Sequence, residues 1–239
     1  MQITKLSIII PAFNEESTIE EVLQRVMELP LYGHPEKEVI VINDCSSDQT
    51  GKRIDAFIAH YSTTAILAFH QPINKGKGAA IHKGIELATG DYIVIQDADL
   101  ELDPNDINAL LKGLTESDAQ VIYGSRFLEA RHSNTRFWWH IMGNGLLTRL
   151  SNIFTGIKLT DMMTCYKLVP SSIIKQLHLK ENRFGFEPEV TVKLAKIEGL
   201  RIKEVPISYA ARDKSEGKKI NWKDGIRVMY CVIRYRLFN

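Results

Sequence analysis

Cysteine is scarce and scattered. Cys45, Cys165 and Cys231 are the only three in 239 residues. They are too far apart for a zinc motif, and their odd number argues against a disulfide framework. A reducing compartment fits them. The seven histidines form no HExxH or HxxxH pair, so the helical metalloprotease signature is absent. Long apolar runs are also lacking. The stretch 137–157 is broken by His140, Gly143, Asn144, Gly145, Arg149, Ser151 and Asn152. The stretch 226–238 has 13 residues and includes three arginines. A spanning helix needs roughly 20 apolar residues, so neither stretch is read as one. Met1 to Lys5 lead straight into a strand-like run, which predicts no signal peptide. Repeats, low-complexity segments and linkers are missing too. With 44% apolar and 25% charged residues, disorder, collagen and disulfide scaffolds are excluded. The length suits one large domain or two closely packed halves.

A net charge of +1 conceals a split. Residues 1–120 carry 9 Lys/Arg against 19 Asp/Glu, and residues 121–239 carry 21 against 10. The acidic half is suited to a cation and the basic half to an anion.

The first half alternates strand and helix. Strands are predicted at Leu6–Ile10, Val39–Ile42, Ala65–Phe69, Tyr92–Ile95 and Val121–Tyr123. Helices are predicted at Glu15–Leu29, Asp48–Tyr61, Lys75–Ala88 and Pro104–Leu114. Ser17 or Asn14 is the expected cap of the first helix and Asp103 of the last. Such alternation argues for a parallel, doubly wound sheet, whose ligands bind outside the carboxyl ends of the strands. In the second half, helices are expected near 137–155, 170–177, 187–198 and 222–237. Strands are expected at Thr164–Val169 and Arg201–Pro206.

Three strands end in polar clusters, which that topology places on one rim. They are Pro11-Ala12-Phe13-Asn14-Glu15, Asn43-Asp44-Cys45-Ser46-Ser47-Asp48 and Gln96-Asp97-Ala98-Asp99-Leu100-Glu101. Each alone reads equally well as loop and cap residues; their convergence favours a site. Asp97 and Asp99, two apart in an extended tip, face the same side. Paired carboxylates repel unless a cation lies between them. Hard oxygen ligands suit Mg²⁺ or Mn²⁺, held by one or two carboxylates plus substrate phosphates. Glu101 is either a third ligand or solvated. Lys75-Gly76-Lys77-Gly78 opens a helix, where glycines admit a ligand and amides favour anions. It is not a P-loop, and a solvated basic helix start is the competing reading. Arg126 ends the fifth strand, where a guanidinium can grip phosphate. Arg131 and Arg136 follow, with Phe137-Trp138-Trp139 behind them. Arg212, Lys218 and Lys219 form a basic loop after 204–208. From Arg212 to Asn239 there are eight basic and three acidic residues. The terminal stretch interleaves apolar residues with arginines, a pattern for either an anionic membrane surface or packing on the domain.

As a set and in this order, these stretches resemble the GT-A glycosyltransferases of family 2, and among them the dolichol-phosphate mannose synthase-like group. The resemblance runs from Leu6 to Gly225. It also takes in Gly124-Ser125-Arg126, Asp161 to Lys167, Phe184 to Glu189 and Glu204 to Tyr209. It implies an α/β fold of the GT-A, Rossmann-like kind, a mostly parallel sheet flanked by helices in one compact domain. Residues 1–220 would form that domain, with 1–123 binding the nucleotide sugar and 124–220 the acceptor. Residues 221–239 would add an amphipathic basic helix. Pro11, Ala12, Phe13, Asn14, Glu15, Asp44 and Lys75 to Gly78 would hold the nucleoside. Asp97, Ala98 and Asp99 would meet the metal-bound diphosphate. Transfer would be inverting, without a covalent intermediate. At the second cluster Asn43, Cys45 and Gln49 depart from the family's usual Asp, Gly and Gly.

The expected reaction is single displacement at the sugar C1, from GDP-mannose or a UDP-hexose. Arg126, Arg131, Arg212, Lys218 and Lys219 are the expected contacts to an acceptor phosphate. A lipid phosphate, with a second pKa near ~6, needs no general base. A hydroxyl acceptor does, and Glu187 and Glu189 are then the candidates. The basic half favours polyprenyl phosphate. The alternatives are a hydroxyl acceptor on a glycan or lipid, a nucleotidyltransferase, and a non-catalytic binding module. The glycine-free Pro11–Glu15 turn counts against the nucleotidyltransferase. No nucleic-acid partner is expected. The expected location is cytoplasmic, with peripheral contact on the cytoplasmic face of a membrane left open.

Overall fold

The apolar run after Thr4 forms β1 (Lys5–Ala12), and every residue from Leu6 to Ala12 is buried. A strand buried on both faces belongs inside a sheet covered by helices. Accordingly β1 lies between β2 (Glu36–Asn43) and β4 (Tyr92–Ile95), parallel to both, with Ile8 opposite Val39 and Val94. The structure is a computed structural model and describes residues 3–61, 65–128, 138–210 and 222–238. The connecting helices are α1 (Ile19–Glu28), α2 (Thr50–Tyr61), α3 (Lys77–Leu87) and α4 (Ile107–Thr115). The sheet also contains β3 (Ile66–His70), β5 (Val121–Ser125), β6 (Lys167–Pro170) and β7 (Ile202–Pro206). Its seven strands run in the order β3-β2-β1-β4-β6-β5-β7. Asp103 caps the short turn before α4, its side chain accepting from the Asn105 amide. At α1 the N-cap is Thr18, with no side-chain cap bond. Asn14 instead bridges to the next loop, and Ser17 precedes the cap.

One strand departs from the parallel expectation. β6 pairs antiparallel with both β4 and β5. The chain leaves β5 at the rim, passes through α5 (Trp138–Thr155), and re-enters where the Gly124 amide donates to the Tyr166 carbonyl at 2.8 Å. An excursion that starts and ends at the same rim of the sheet forces the returning strand to run backwards. Thr164 and Cys165 are thereby delivered to the site rim.

The remaining helices are α6 (Ser171–Ile174), α7 (Phe186–Leu194) and α8 (Trp222–Leu237). All of α7 is buried, including Glu187, Glu189 and Lys193. Buried charges must be paired, and these are: Glu187 with Lys167, and Glu189 with Lys193 at 2.8 Å. α8 packs on the domain through Val228, Cys231, Val232 and Tyr235, against Met162 and Val192. Glu181 fixes it further, accepting from Arg227 Nη2 at 2.8 Å and from the Tyr235 hydroxyl at 3.0 Å. The opposite face of α8 stays in water, with Ile226, Tyr230, Ile233 and Leu237 exposed. Among the described residues, no helix is long and apolar enough to cross a membrane.

Glu38 ties β2 to its neighbours at the far end of the sheet. Burial alone would raise its carboxyl pKa, but hydrogen bonds from Ser7, Thr89 and Lys5 lower it to about 2. A depressed carboxyl stabilises the fold above its unfolded value and loses that contribution as pH falls through the folded one. Wild-type Tm is therefore expected to drop between about pH 4.5 and pH 2, and Glu38→Gln to flatten that drop. Differential scanning fluorimetry across this range measures it; an unchanged slope would refute the assignment.

Candidate active site

The ends of β1, β2, β4 and β5 share one rim. Pro11 and Ala12 are buried at the end of β1, while Phe13 and Glu15 are half-buried and Asn14 is exposed. Asn14 adopts φ +52°, a left-handed conformation in which Asn is enriched. Its Oδ1 then accepts from the Ser47 amide at 2.8 Å, and its own amide donates to Ser46 Oγ at 3.0 Å. The Thr18 hydroxyl donates to the Ala98 carbonyl at 2.9 Å. Two of the predicted clusters are thus locked to each other, and the cap of α1 is tied to the third.

Asp44 is 2% exposed. Its carboxylate accepts from Gln71 Nε2 at 2.9 Å and from the amides of Lys75 at 2.9 Å and Gly76 at 2.7 Å. It shapes the loop entering α3. The glycines there are also required by packing within the chain. A Cβ on Gly76 (φ +99°) would lie 2.5 Å from the Asn182 carbonyl oxygen, and one on Gly78 2.1 Å from that of Glu181. The segment at 181–183 approaches both glycines. Asn182 also takes the Ala79 amide at 3.1 Å, so the start of α3 is partly occupied by the chain itself.

Asp97 and Asp99 are both half-buried at the tip of β4. Lys77 Nζ lies 2.5 Å from Asp97 Oδ1 and 3.7 Å from Cys165 Sγ. Burial would depress the Lys77 pKa, but the Asp97 carboxylate raises it well above the ordinary value. Burial likewise opposes ionisation of Asp97, and the Lys77 charge overcomes it, leaving its pKa lowered. Burial pushes the Cys165 thiol well up, so it is no thiolate nucleophile. Asp99 Oδ1 accepts from the Glu101 amide at 3.2 Å. The Glu101 carboxylate accepts from the Tyr209 hydroxyl at 3.2 Å. Among the described residues no set of three His, Cys, Asp or Glu side chains is arranged to hold a metal.

Arg126 reaches the rim but is already engaged. Its Nε and Nη2 donate to Asp161 Oδ2 and Oδ1 at 2.7 and 2.8 Å. Asp161 is 0% exposed and also accepts from Asn144 Nδ2 at 3.0 Å. The guanidinium lies 5.1 Å from the Tyr209 ring centre. The fork expected to grip a phosphate is therefore braced by a carboxylate. Arg131, Arg136, Arg212, Lys218 and Lys219 lie outside the described residues.

The two base candidates point inward. Glu189 is 0% exposed and accepts from the amides of Lys180 at 2.9 Å and Glu181 at 2.7 Å, besides Lys193. It is an anchor for the loop before α7. Glu187 is 5% exposed and paired with Lys167, with its other oxygen lacking a hydrogen bond. Sequence reading missed Lys167 and Glu181 as buried partners; an isolated charged residue carries no local signal that it will be buried. Asp161, Cys165 and Tyr209 were legible only as parts of a family pattern.

The donor set fits a divalent cation. Two half-buried carboxylates with a cation already drawn to one of them match the way Mg²⁺ and Mn²⁺ bind, through few protein oxygens and completion by phosphates.

The model of the family described as Glycosyl transferase family 2 matches residues 7–177. The chain is 29% identical to a dolichyl-phosphate beta-glucosyltransferase ALG5D of Trichomonas vaginalis, over 98% of this chain and 73% of that protein. It is 26% identical to a dodecaprenyl-phosphate galacturonate synthase of Rhizobium johnstonii, over 91% of this chain and 62% of that protein. In fold it resembles glucosyl-3-phosphoglycerate synthase from Mycobacterium tuberculosis, crystallised with Mn²⁺, UDP and phosphoglyceric acid. The TM-score is 0.69 at 17% identity, covering 99% of this chain and 80% of that one.

Proposed function

As the chain belongs to glycosyl transferase family 2 and has a GT-A fold, we propose that this glycosyltransferase moves a hexose from GDP-mannose or a UDP-hexose to a polyprenyl phosphate, with inversion at C1. Its relatives act, by their names, on dolichyl and dodecaprenyl phosphates. The observation that carries the acceptor reading is the state of the two base candidates. Glu187 and Glu189 are both buried and both paired with lysines. A hydroxyl acceptor would need a free base; a phosphate acceptor arrives ionised and supplies its own nucleophile.

The donor is read as lying on the rim formed by Pro11–Glu15, Asp44 and the loop at 75–78. Asp97 and Asp99 would hold Mg²⁺ or Mn²⁺, which would stabilise charge developing on the leaving diphosphate. Arg126, held rigid by Asp161, would present its remaining edge toward the acceptor side. Exposed Leu146 and Ile153 on α5, and Ile226, Tyr230, Ile233, Leu237 and Phe238 at α8, support peripheral contact with the membrane that carries the lipid. The exposed arginines Arg149, Arg234 and Arg236 suit an anionic surface. A cytoplasmic site of action fits the unpaired cysteines.

The test offers GDP-mannose, UDP-glucose and UDP-GlcNAc, each with Mn²⁺, to the purified chain and polyprenyl phosphate in anionic vesicles. Lipid-linked sugar, resolved by thin-layer chromatography, is the expected product from one of them. Failure with all three, alongside transfer to a hydroxyl-bearing glycan or lipid, would replace the acceptor reading.

A further inference from the structure

We propose that Lys77 is the resident counter-cation of the donor site, standing where the metal's charge is needed and leaving Asp97 only when cation and nucleoside diphosphate arrive together. The inference rests on the donor-site reading above and concerns how that site loads. Lys77 Nζ is 2.5 Å from Asp97 Oδ1, with the two side chains 27% and 22% exposed. A divalent cation on the same carboxylate would sit close beside the ammonium and be repelled by it. Loading is therefore favoured when the ammonium swings away.

Its surroundings decide where it can go. Of the carboxylates that act on it, Glu187 already has its charge balanced by Lys167, so even with its other oxygen unbonded it offers no unbalanced negative charge. The loading diphosphate does: free UDP or GDP, with about three negative charges, brings more than the metal neutralises, and a nucleotide sugar, with about two, still brings phosphate oxygens to which the ammonium can donate. The backbone under Lys77 is fixed: Gly76 and Gly78 are clamped against 181–183 and the Ala79 amide is bonded to Asn182. Movement is thus confined to the side chain, a flexible four-carbon stem ending in a compact charge. Metal alone must compete with Lys77, whereas metal with diphosphate gives Lys77 a new partner. Binding of the two is coupled through this one residue.

The experiment titrates Mn²⁺ by electron paramagnetic resonance, with and without UDP or GDP, into wild type, Lys77→Met, Lys77→Gln and Lys83→Met. Lys83 lies on the same helix about 9 Å along its axis, so its variant reports the general effect of losing one positive charge. Circular dichroism checks the fold, and Lys77→Gln keeps a hydrogen-bond donor near Asp97 should Lys77→Met fold poorly. The expected result is Mn²⁺ binding alone at least tenfold tighter in both Lys77 variants, against no more than about twofold in Lys83→Met. The tightening of Mn²⁺ by nucleotide should shrink at least tenfold in the Lys77 variants. Mn²⁺ affinity in the Lys77 variants matching that of Lys83→Met would overturn the inference. Absence of Mn²⁺ binding in every protein, with both nucleotides, would instead remove the donor-site reading and this inference with it.

Discussion

Asp97→Asn is expected to lower sugar transfer by ~10³-fold or more at saturating donor, an effect of the size seen when one electrostatic stabiliser of a developing charge is lost. The substitution keeps shape and volume. It also leaves an amide oxygen for Lys77 to donate to, and Lys77 is 27% exposed, so its ammonium is not stranded in a dry site. Stability should therefore change by only about 1 kcal/mol, and the loss should fall on kcat. Asp99→Asn should act in the same direction. Glu101→Gln should lose less than about tenfold, since its carboxylate is held by Tyr209 rather than gathered with the two aspartates. Initial rates with Mn²⁺ present, together with Tm, separate these cases. Transfer by Asp97→Asn within tenfold of wild type would remove the metal site from the proposed chemistry.

The second large effect is on stability. Asp161→Ala is expected to cost about 3–5 kcal/mol, because it leaves the Arg126 guanidinium without its buried partner. For a chain of this size that is a fall in Tm on the order of 10 °C. Burial alone would raise the Asp161 carboxyl, and Arg126 overrides this to hold it low. The pair is therefore fully formed at neutral pH and is lost only as pH falls through that depressed value. Replacing both partners with apolar residues, Arg126→Met with Asp161→Leu, should cost less than Asp161→Ala alone. Urea denaturation of wild type and the two variants measures both losses. Equal losses in the single and double variants would show that Arg126 is not stabilised through Asp161.

The site and the fold were legible to different depths. β1, β2 and β4 are buried apolar runs, and such runs carry their own signal. So do the polar clusters that follow them, because a parallel sheet puts strand ends on one rim. The acidic pair fell where the pattern placed it. The direction of β6 was not legible, since a four-residue apolar strand looks the same run either way. The packing against Gly76 and Gly78 was hidden as well. Their neighbours come from a loop about a hundred residues later in the chain, so a ligand and a loop leave the same trace in sequence.

The charge split is the clearest case of the division. Sequence alone determined that the first half is acidic, the second basic, and that two aspartates and a lysine occur near strand ends and a helix start. It could not say which charges remain available. The tertiary structure decided that Arg126 is braced by Asp161, that Lys167 is consumed by Glu187, and that Lys77 is drawn to Asp97. The physical reason is that composition and periodicity are local properties, read within a few residues. Burial of a charge and the partner that makes it tolerable are set by groups 20 to 35 positions apart in these pairs, and only folding brings those together.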